Sequence, residues 1–140
     1  MDEEHPAPPG WRALRPEDPF NQKNGPFYIA DPFDGNETEP ARIGFRVQPH
    51  NCNYTGTCHG GVLAAVLDIA LGQSVQRAVQ AGFAPTMSLS VDYMRPATPG
   101  EWLESRVRVL KVTRSAVFCD ALLVGPNGNV ARAGGLFKRV

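Results

Sequence analysis

The sequence predicts an α+β domain in which one long helix is wrapped by an antiparallel β-sheet. A stretch without proline runs over residues 51–82 and contains an alanine- and leucine-rich apolar run, which favours a helix. Segments with alternating apolar and polar residues lie on both sides of it, separated by turn residues, as is typical of strands. One long helix among strands linked by hairpins indicates an antiparallel sheet.

The length and composition narrow the class of protein. A chain of 140 residues predicts one domain with a sizeable core. Its 14 Lys and Arg balance 14 Asp and Glu, so we expect neither nucleic acid nor a membrane as partner. The first ten residues have no basic or apolar signal region, and the three cysteines suggest no disulfide framework. Both features favour a cytoplasmic location.

The N-terminal part is predicted to be less regular than the rest. Residues 1–26 are expected to form an irregular segment with at most one helical turn, near residues 16–18. This segment is expected to pack on the body through Trp11, Leu14 and Phe20. Residues 27–140 are expected to form the domain itself. Its first two strands are predicted over residues 27–30 and 41–47, on either side of a polar loop.

The long helix is predicted over residues 60–81, with Gly82 as its C-cap. Apolar residues occupy every face over residues 62–71, so we expect the helix to be buried on all sides. This apolar part is shorter than the about 20 residues that a bilayer requires, which favours a core helix.

Four strands are predicted after the helix. Residues 86–93 alternate without interruption, which predicts one face with Met87, Leu89, Val91 and Tyr93 and another with Thr86, Ser88, Ser90 and Asp92. Further strands are predicted over residues 102–112, 116–124 and 130–138, and a turn over residues 126–128.

Asp68 is the one acid in the apolar part of the helix. Aspartate is unfavourable in the middle of a helix, and an unpaired buried carboxylate is costly. Burial would also make the ionised group a better base. From the helix alone, a catalytic role is as well supported as a structural one, in which Asp68 points out through a gap or caps a backbone N–H.

The turn before the helix, His59-Gly60-Gly61, brings a second group of candidates. Backbone N–H groups at a helix start have no partner within the helix, and they suit an oxygen that gains negative charge. Glycine also allows a substrate carbonyl to approach the backbone closely. Asn53, Thr57 and His59 add side-chain donors. The alternative is a tight turn in which His59 only caps the helix.

The spacing of His59 and Asp68 limits how they can act together. Nine residues of helix correspond to about 13 Å of rise and about half a turn, so the two side chains should project from opposite sides. A site that uses both would therefore lie between two subunits, and a two-fold dimer would carry two such sites.

This pattern resembles the acyl-CoA thioesterases of the hotdog-fold superfamily, and most of all their PaaI-like, phenylacetate-pathway branch. The residues that carry the resemblance are Asn53, Thr57, Cys58, His59, Gly60 and Gly61, with Asp68 nine residues after His59. Residues 85–97 and 128–138 are also similar to strands of the family. The resemblance covers residue 27 to the C terminus and implies a hotdog fold that pairs into dimers and often tetramers.

The resemblance also implies a role for each matching residue. Asp68 would be the general base or nucleophile, and Asn53 would position the substrate or water. His59 and the Gly60 N–H would polarise the thioester carbonyl, with Gly61 adjoining it, and Thr86 would assist the water. In this branch the acid comes from the subunit opposite the His-Gly turn.

Basic residues on the later strands have two interpretations. Arg106, Arg108 and Lys111 are best explained as a solvated sheet face, and the same holds for Arg95 and Arg114 taken singly. The alternative is contact with the phosphates of coenzyme A, for which Arg95 and the pair Arg114-Ser115, at a predicted hairpin tip, are the candidates. Family members usually carry glycine where this chain has Thr113.

The sequence therefore predicts an acyl-CoA thioesterase that releases free acid and coenzyme A from an aromatic or a short- to medium-chain substrate. No cofactor is expected apart from the coenzyme A of the substrate. Cys52, Cys58 and His59 match neither a zinc nor a haem spacing, so no metal is expected. Two alternatives stay open: a hotdog hydratase or dehydratase with the histidine as base, and a non-catalytic acyl-CoA-binding protein.

Overall fold

The structure, a computed structural model, describes residues 7–32 and 35–140. Its elements in chain order are β1 (Arg12–Ala13), α1 (Pro19–Asn24), β2 (Tyr28–Ala30), β3 (Arg42–Arg46), α2 (Gly60–Val79), β4 (Thr86–Tyr93), β5 (Trp102–Val112), β6 (Ala116–Gly125) and β7 (Gly128–Lys138). A 3-10 turn, Pro49–Asn51, precedes α2. All strands predicted within the domain are present, with bounds that differ from the predictions by at most two residues.

The strands form a single antiparallel sheet in the order β1-β2-β3-β5-β6-β7-β4, and α2 packs against one of its faces. The helix buries Leu63, Val66, Leu67, Ala70, Leu71, Ser74 and Val75. These side chains meet inward-facing residues of the sheet such as Leu103, Val117 and Phe137, all fully buried. Burial of this apolar surface drives the packing of helix on sheet. The predicted α+β architecture is confirmed.

The N-terminal segment is more regular than predicted. Strand β1 pairs with β2, and Asp18 begins α1 by accepting a hydrogen bond of 2.9 Å from the backbone N–H of Phe20. An N-cap followed by Pro19 is a favourable helix start, so these residues form a helix rather than an irregular chain. The predicted packing of the segment agrees with the structure. Leu14 is buried, the Trp11 ring lies edge-on to that of Trp102 at 5.1 Å, and the Phe20 ring, though 46% exposed, stacks on that of buried Phe27 at 6.3 Å.

Helix α2 differs from its prediction in two respects. It ends at Val79, and its C-cap is Gln80, which adopts a left-handed conformation with φ 53°, rather than Gly82. The helix is also not buried on all sides: Asp68, Ile69, Gly72, Gln73 and Gln76 lie along a face that the single chain leaves half-buried.

Helix α2 is also long and apolar enough to cross a membrane, the one such helix within residues 7–32 and 35–140. The shortness of its apolar part was therefore not a sound reason to exclude a membrane span. A core helix of a soluble protein passes the same test of length and composition. The packing of α2 against five strands supports the interpretation as a core helix.

Candidate active site

The carboxylate of Asp68 accepts a hydrogen bond of 2.6 Å from the hydroxyl of Thr86. Asp68 is half-buried in the middle of α2, and Thr86 is the first residue of β4. Both line a cavity of about 180 Å³. The other walls come from α2, from the chain that leads into β4, from β7 and from the N-terminal segment. They combine apolar side chains such as Ile69, Phe83 and Phe137 with polar ones such as Asn21, Gln73 and Gln76.

A β-bulge in β4 brings Thr86 to the cavity. Thr86 lies opposite Phe137 and Ser88 lies opposite Leu136, so Met87 is an additional residue in β4. Opposed residues in an antiparallel pair share a face, and Phe137 faces the helix. The predicted uninterrupted alternation is therefore wrong at this point. It would have placed Thr86 on the outer face with Ser88, away from Asp68.

The turn before α2 has the predicted position at the helix start. His59 is the N-cap, and its Nδ1 accepts a hydrogen bond of 2.8 Å from the Gly61 N–H. A ring nitrogen that accepts carries no proton, so the ring in this geometry is neutral with its proton on Nε2. His59 is exposed, so Nε2–H can donate to an incoming group. The capping role and a role in carbonyl polarisation are compatible, because they use different ring nitrogens.

Tyr93 is a neighbour of the turn that sequence reasoning did not single out. Its hydroxyl donates a hydrogen bond of 2.7 Å to the Gly60 carbonyl. A Cβ built on Gly60 would lie 3.3 Å from Cζ and Oη of Tyr93, so glycine permits this close approach. The alternation of β4 did predict that Tyr93 shares a face with Leu89 and Val91. The direction of β4 along α2, which decides the partner, was not readable from the sequence.

Asn53 lies in the loop before the helix rather than near Asp68. Its Oδ1 accepts hydrogen bonds from the Thr55 N–H at 3.0 Å and from the Thr55 hydroxyl at 2.6 Å. The Thr57 hydroxyl lies 3.2 Å from that of Thr55. These contacts form a local Asx turn, which holds the loop beside His59.

The predicted catalytic residues thus form two groups in one chain. Asp68 and Thr86 lie together, and Asn53, His59, Gly60 and Gly61 lie together at the helix start. From Gly60 to Asp68 the helix rises by about 12 Å. Strand β4 runs back along α2 and contacts both groups, through Thr86 at one end and Tyr93 at the other.

Arg95 has a partner within the fold. Its Nη2 forms an ion pair of 2.9 Å with the largely buried carboxylate of Glu101. Burial alone would raise the pKa of Glu101, but hydrogen bonds from Arg95 and Thr98 outweigh it and leave this pKa lowered. This arrangement favours a structural role for Arg95 over a phosphate contact.

Arg114 and Ser115 lie at the tip of the β5–β6 hairpin, where they were predicted, and both are exposed. The Thr113 hydroxyl closes the turn, because it donates to the Ala116 carbonyl at 2.8 Å and accepts from the Ala116 N–H at 2.9 Å. The turn therefore forms without the family's glycine. Arg139 adds a basic group that sequence reasoning missed: it donates to the Thr113 carbonyl at 3.2 Å.

A larger groove, of about 490 Å³, contains none of the candidate catalytic residues. It is lined by arginines of β5 and β7, Arg106, Arg108 and Arg132, together with the chain around Glu39. Arg108 pairs with Asp120 at 2.6 Å, and Arg106 pairs with Glu104 at 2.7 Å. These ion pairs agree with the predicted solvated sheet face. The smaller cavity beside Asp68 is the better candidate, because it adjoins a half-buried acid.

Comparison with known proteins gives a consistent set of matches. The model of the thioesterase superfamily matches residues 55–131. A Pseudomonas aeruginosa protein provisionally named an esterase is 29% identical, over 94% of this chain and 96% of its own length. A mutant of the phenylacetic acid degradation protein PaaI from Thermus thermophilus is 25% identical, with TM-score 0.76 over 88% of this chain and 100% of that one. A Streptococcus pneumoniae hypothetical thioesterase, solved with coenzyme A, is 19% identical, with TM-score 0.69 over 80% and 86% of the two chains.

Proposed function

The chain belongs to the thioesterase superfamily and has its hotdog fold, and from this premise we propose that it is an acyl-CoA thioesterase. The observation that carries the proposal is the Asp68 carboxylate, held by Thr86 beside a cavity with both apolar and polar walls. A half-buried carboxylate next to a cavity of this kind suits a general base or a nucleophile. The products would be the free acid and coenzyme A.

Asp68 would act on the thioester in one of two ways. As a general base it takes a proton from water, and the hydroxide attacks the carbonyl carbon. As a nucleophile it attacks that carbon itself and forms an anhydride that water then opens. In both routes the C–S bond breaks and the thiolate leaves. The Thr86 hydroxyl orients the carboxylate in both.

The helix start would stabilise the charge that develops on the carbonyl oxygen. The Gly60 N–H and the His59 Nε2–H are both donors, and the dipole of α2 is positive at this end. Asn53 would position the substrate or water from the loop that precedes them. The hydrogen bond from Tyr93 to the Gly60 carbonyl holds the Gly60–Gly61 peptide, which directly follows the Gly60 N–H in the chain.

We further propose that two copies of the chain form each site, with Asp68 from one subunit and the His59 turn from the other. Two features support a dimer. Strand β4 ends the sheet, so the edge away from β7 has no partner strand within residues 7–32 and 35–140. Met87, Tyr93 and Met94, along or just beyond β4, are about half exposed, and the α2 face beside it is half-buried. A two-fold pairing would cover both surfaces, and two dimers could pair further into a tetramer.

The cavity beside Asp68 supports a small acyl group. Its volume of about 180 Å³ suits an aromatic or short acyl group better than a long chain. The coenzyme A moiety would lie toward Arg114 and Ser115, and the pneumococcal relative supports binding of coenzyme A on this fold. We place the activity in the cytoplasm.

The test is thiol release from a panel of acyl-CoAs by the wild type and by the Asp68→Asn variant. We expect the variant to lose at least about 100-fold, the low end for an acid–base group. Asp92→Asn is the matched control, because Asp92 lies on the outer face of β4, where it pairs with Arg132, and should keep wild-type rates. Equal rates in the wild type and Asp68→Asn would reject the proposed site.

The two alternative functions have their own signatures in the same assay. Turnover of an enoyl-CoA without thiol release would indicate a hydratase. Saturable binding of acyl-CoA without turnover, in the wild type and Asp68→Asn alike, would indicate a binding protein.

A further inference from the structure

Two cysteines face each other across the base of the loop before α2. Cys52 and Cys58 are partners in an isolated antiparallel bridge, and residues 53–57 form the loop that this bridge closes. Both thiols are free in the structure. The loop contains Asn53, and the residue after Cys58 is the helix cap His59.

The backbone hydrogen bonds show that Cys52 and Cys58 form a non-hydrogen-bonded antiparallel pair. The His59 N–H donates to the Asn51 carbonyl at 2.8 Å, and the Asn53 N–H donates to the Thr57 carbonyl at 2.9 Å. These bonds flank Cys52 and Cys58, which do not bond each other through the backbone. Such non-hydrogen-bonded pairs have Cα atoms about 4.5 Å apart and side chains on the same face. A disulfide needs a Cα separation of about 4.4–6.8 Å, so the backbone is already suitable.

We propose that Cys52 and Cys58 form a reversible disulfide, which makes this bridge an oxidation site at the start of the long helix. This inference goes beyond the proposed thioesterase activity and does not depend on it.

The two thiols differ in a way that sets the order of reaction. Cys52 is half-buried, whereas Cys58 is 5% exposed. Burial, and to a smaller extent the neighbouring Cys52, raise the pKa of Cys58 to about 12, so its thiol stays protonated at neutral pH. Cys52 is therefore the thiol that an oxidant in solution reaches first, and Cys58 is the resolving thiol.

A low-molecular-weight disulfide such as oxidised glutathione can serve as the oxidant for the two thiols. The Cys52 thiolate attacks one glutathione sulfur, a mixed disulfide forms and the first glutathione leaves as a thiolate. Cys58 then gives up its proton, and its sulfur attacks that of Cys52, so that the second glutathione leaves. Two protein thiols are oxidised to one disulfide, and one glutathione disulfide is reduced to two thiols.

The disulfide would cross-link the two chain segments that hold the loop and the helix cap. Cross-linking restricts the unfolded chain, and the stabilisation is smaller for a short loop such as this one than for a long one. We expect the oxidised protein to melt at a higher temperature than the reduced protein, by on the order of 5 °C.

Mass spectrometry of trypsin-digested protein tests the proposal directly. No Lys or Arg lies between Arg46 and Arg77, so both cysteines fall in one peptide, residues 47–77, and Cys119 falls in another, residues 115–132. Wild-type protein is reduced, then equilibrated with oxidised glutathione, denatured and alkylated. We expect peptide 47–77 to lose the mass of two hydrogen atoms and to escape alkylation, while peptide 115–132 stays alkylated. Dithiothreitol should restore both alkylation sites.

Cys119 is the internal control, because it is also buried, with its pKa likewise raised by burial to about 12, but it lies in β6 away from the bridge. In Cys58→Ser, Cys52 should stop at the mixed disulfide with glutathione, and the shift in melting temperature should disappear. Complete alkylation of peptide 47–77 after oxidation would overturn the proposal. So would a mixed disulfide on wild-type Cys52 that Cys58 does not resolve.

Discussion

The Thr86 hydroxyl, on the edge strand, donates a hydrogen bond of 2.6 Å to the Asp68 carboxylate, in the middle of the long helix. This contact attaches the candidate acid to β4, the strand at one end of the sheet order. It also explains how an aspartate is accommodated in an apolar helix, since one of its oxygens has a partner.

Replacing Thr86 tests whether this hydrogen bond orients the acid. We expect Thr86→Ala to lower kcat about tenfold or more, because a hydrogen bond to a charged group is lost. Thr86→Ser keeps a hydroxyl and should retain most of the rate. Ser90→Ala removes a hydroxyl from the outer face of the same strand and should change nothing. Steady-state thiol release measures all three, and a slow Ser90→Ala variant would point to a general effect on β4.

The bulge at Met87 predicts that β4 tolerates deletion of this residue. Without Met87, Thr86 directly precedes Ser88, and regular alternation keeps Thr86 opposite Phe137, on the face toward Asp68. We therefore expect the deletion to keep most of the wild-type kcat. Met87→Ala retains the additional residue, and the Met87 side chain is 58% exposed, so this variant should also behave as the wild type. A loss of thiol release in the deletion as large as in Thr86→Ala would contradict the assignment of Met87 as the additional residue.

The contact between Gly60 and Tyr93 predicts a compensating pair of substitutions. A Cβ in Gly60→Ala would lie 3.3 Å from the Tyr93 ring, which must shift together with the Gly60 peptide. We expect this variant to lose about tenfold in kcat/KM, and Tyr93→Leu to restore part of that loss by making room. Gly82→Ala is the control, because its Cβ would meet nothing within 4 Å. Strictly additive effects on kcat/KM would mean that the two residues do not interact.

A shared site predicts complementation between two inactive variants. When equal amounts of His59→Ala and Asp68→Asn are unfolded and refolded together, half of the dimers carry one of each chain, and each of these has one intact site. About a quarter of wild-type thiol release should return. A mixture of Asp68→Asn with Thr86→Ala should show no such gain, because Asp68 and Thr86 serve the same site from one chain. No recovery in the first mixture would place the whole site in one subunit.

The lowered pKa of Glu101 predicts how stability depends on pH. A carboxyl group whose pKa is lower in the folded state than its ordinary value, near 4.5, stabilises the fold at pH values above that ordinary pKa. This stabilisation is lost as the pH falls through the pKa of the group in the folded protein. We expect Glu101→Gln to be less stable than the wild type by about 1–3 kcal/mol at pH 7, because Arg95 loses its partner. The difference in free energy of unfolding between the two proteins, measured with urea, should shrink below about pH 4. A difference independent of pH would contradict the ionic contribution.

The sequence was sufficient to predict the elements of residues 27–140, because their signals are local, but it did not predict β1 and α1. The apolar run gave the position of α2, and alternation gave strands β4 and β5 with the bounds that the structure has. The start of α2 at Gly60 followed from the turn before it. The end was predicted two residues too late, since Gln80 adopts a left-handed conformation that glycine usually provides.

The contacts that build the site were less predictable, because they depend on how distant elements pack. The bulge at Met87 reverses the face of Thr86, and no residue type in β4 marks it. The partnership of Tyr93 with Gly60 requires the direction of β4 along the helix. The ion pair of Arg95 with Glu101 likewise needs the two chain segments in place.

The open edge of β4 has a consequence for the life of the newly made chain. An uncovered strand edge offers unpaired N–H and C=O groups to any other extended chain, and here Met87, Tyr93 and Met94 add exposed apolar surface to it. The proposed dimer would cover this edge, and a chain without its partner would be prone to aggregate through it. Dilution, or substitutions that loosen the proposed pairing, would therefore show first as loss of soluble protein and only afterwards as loss of turnover.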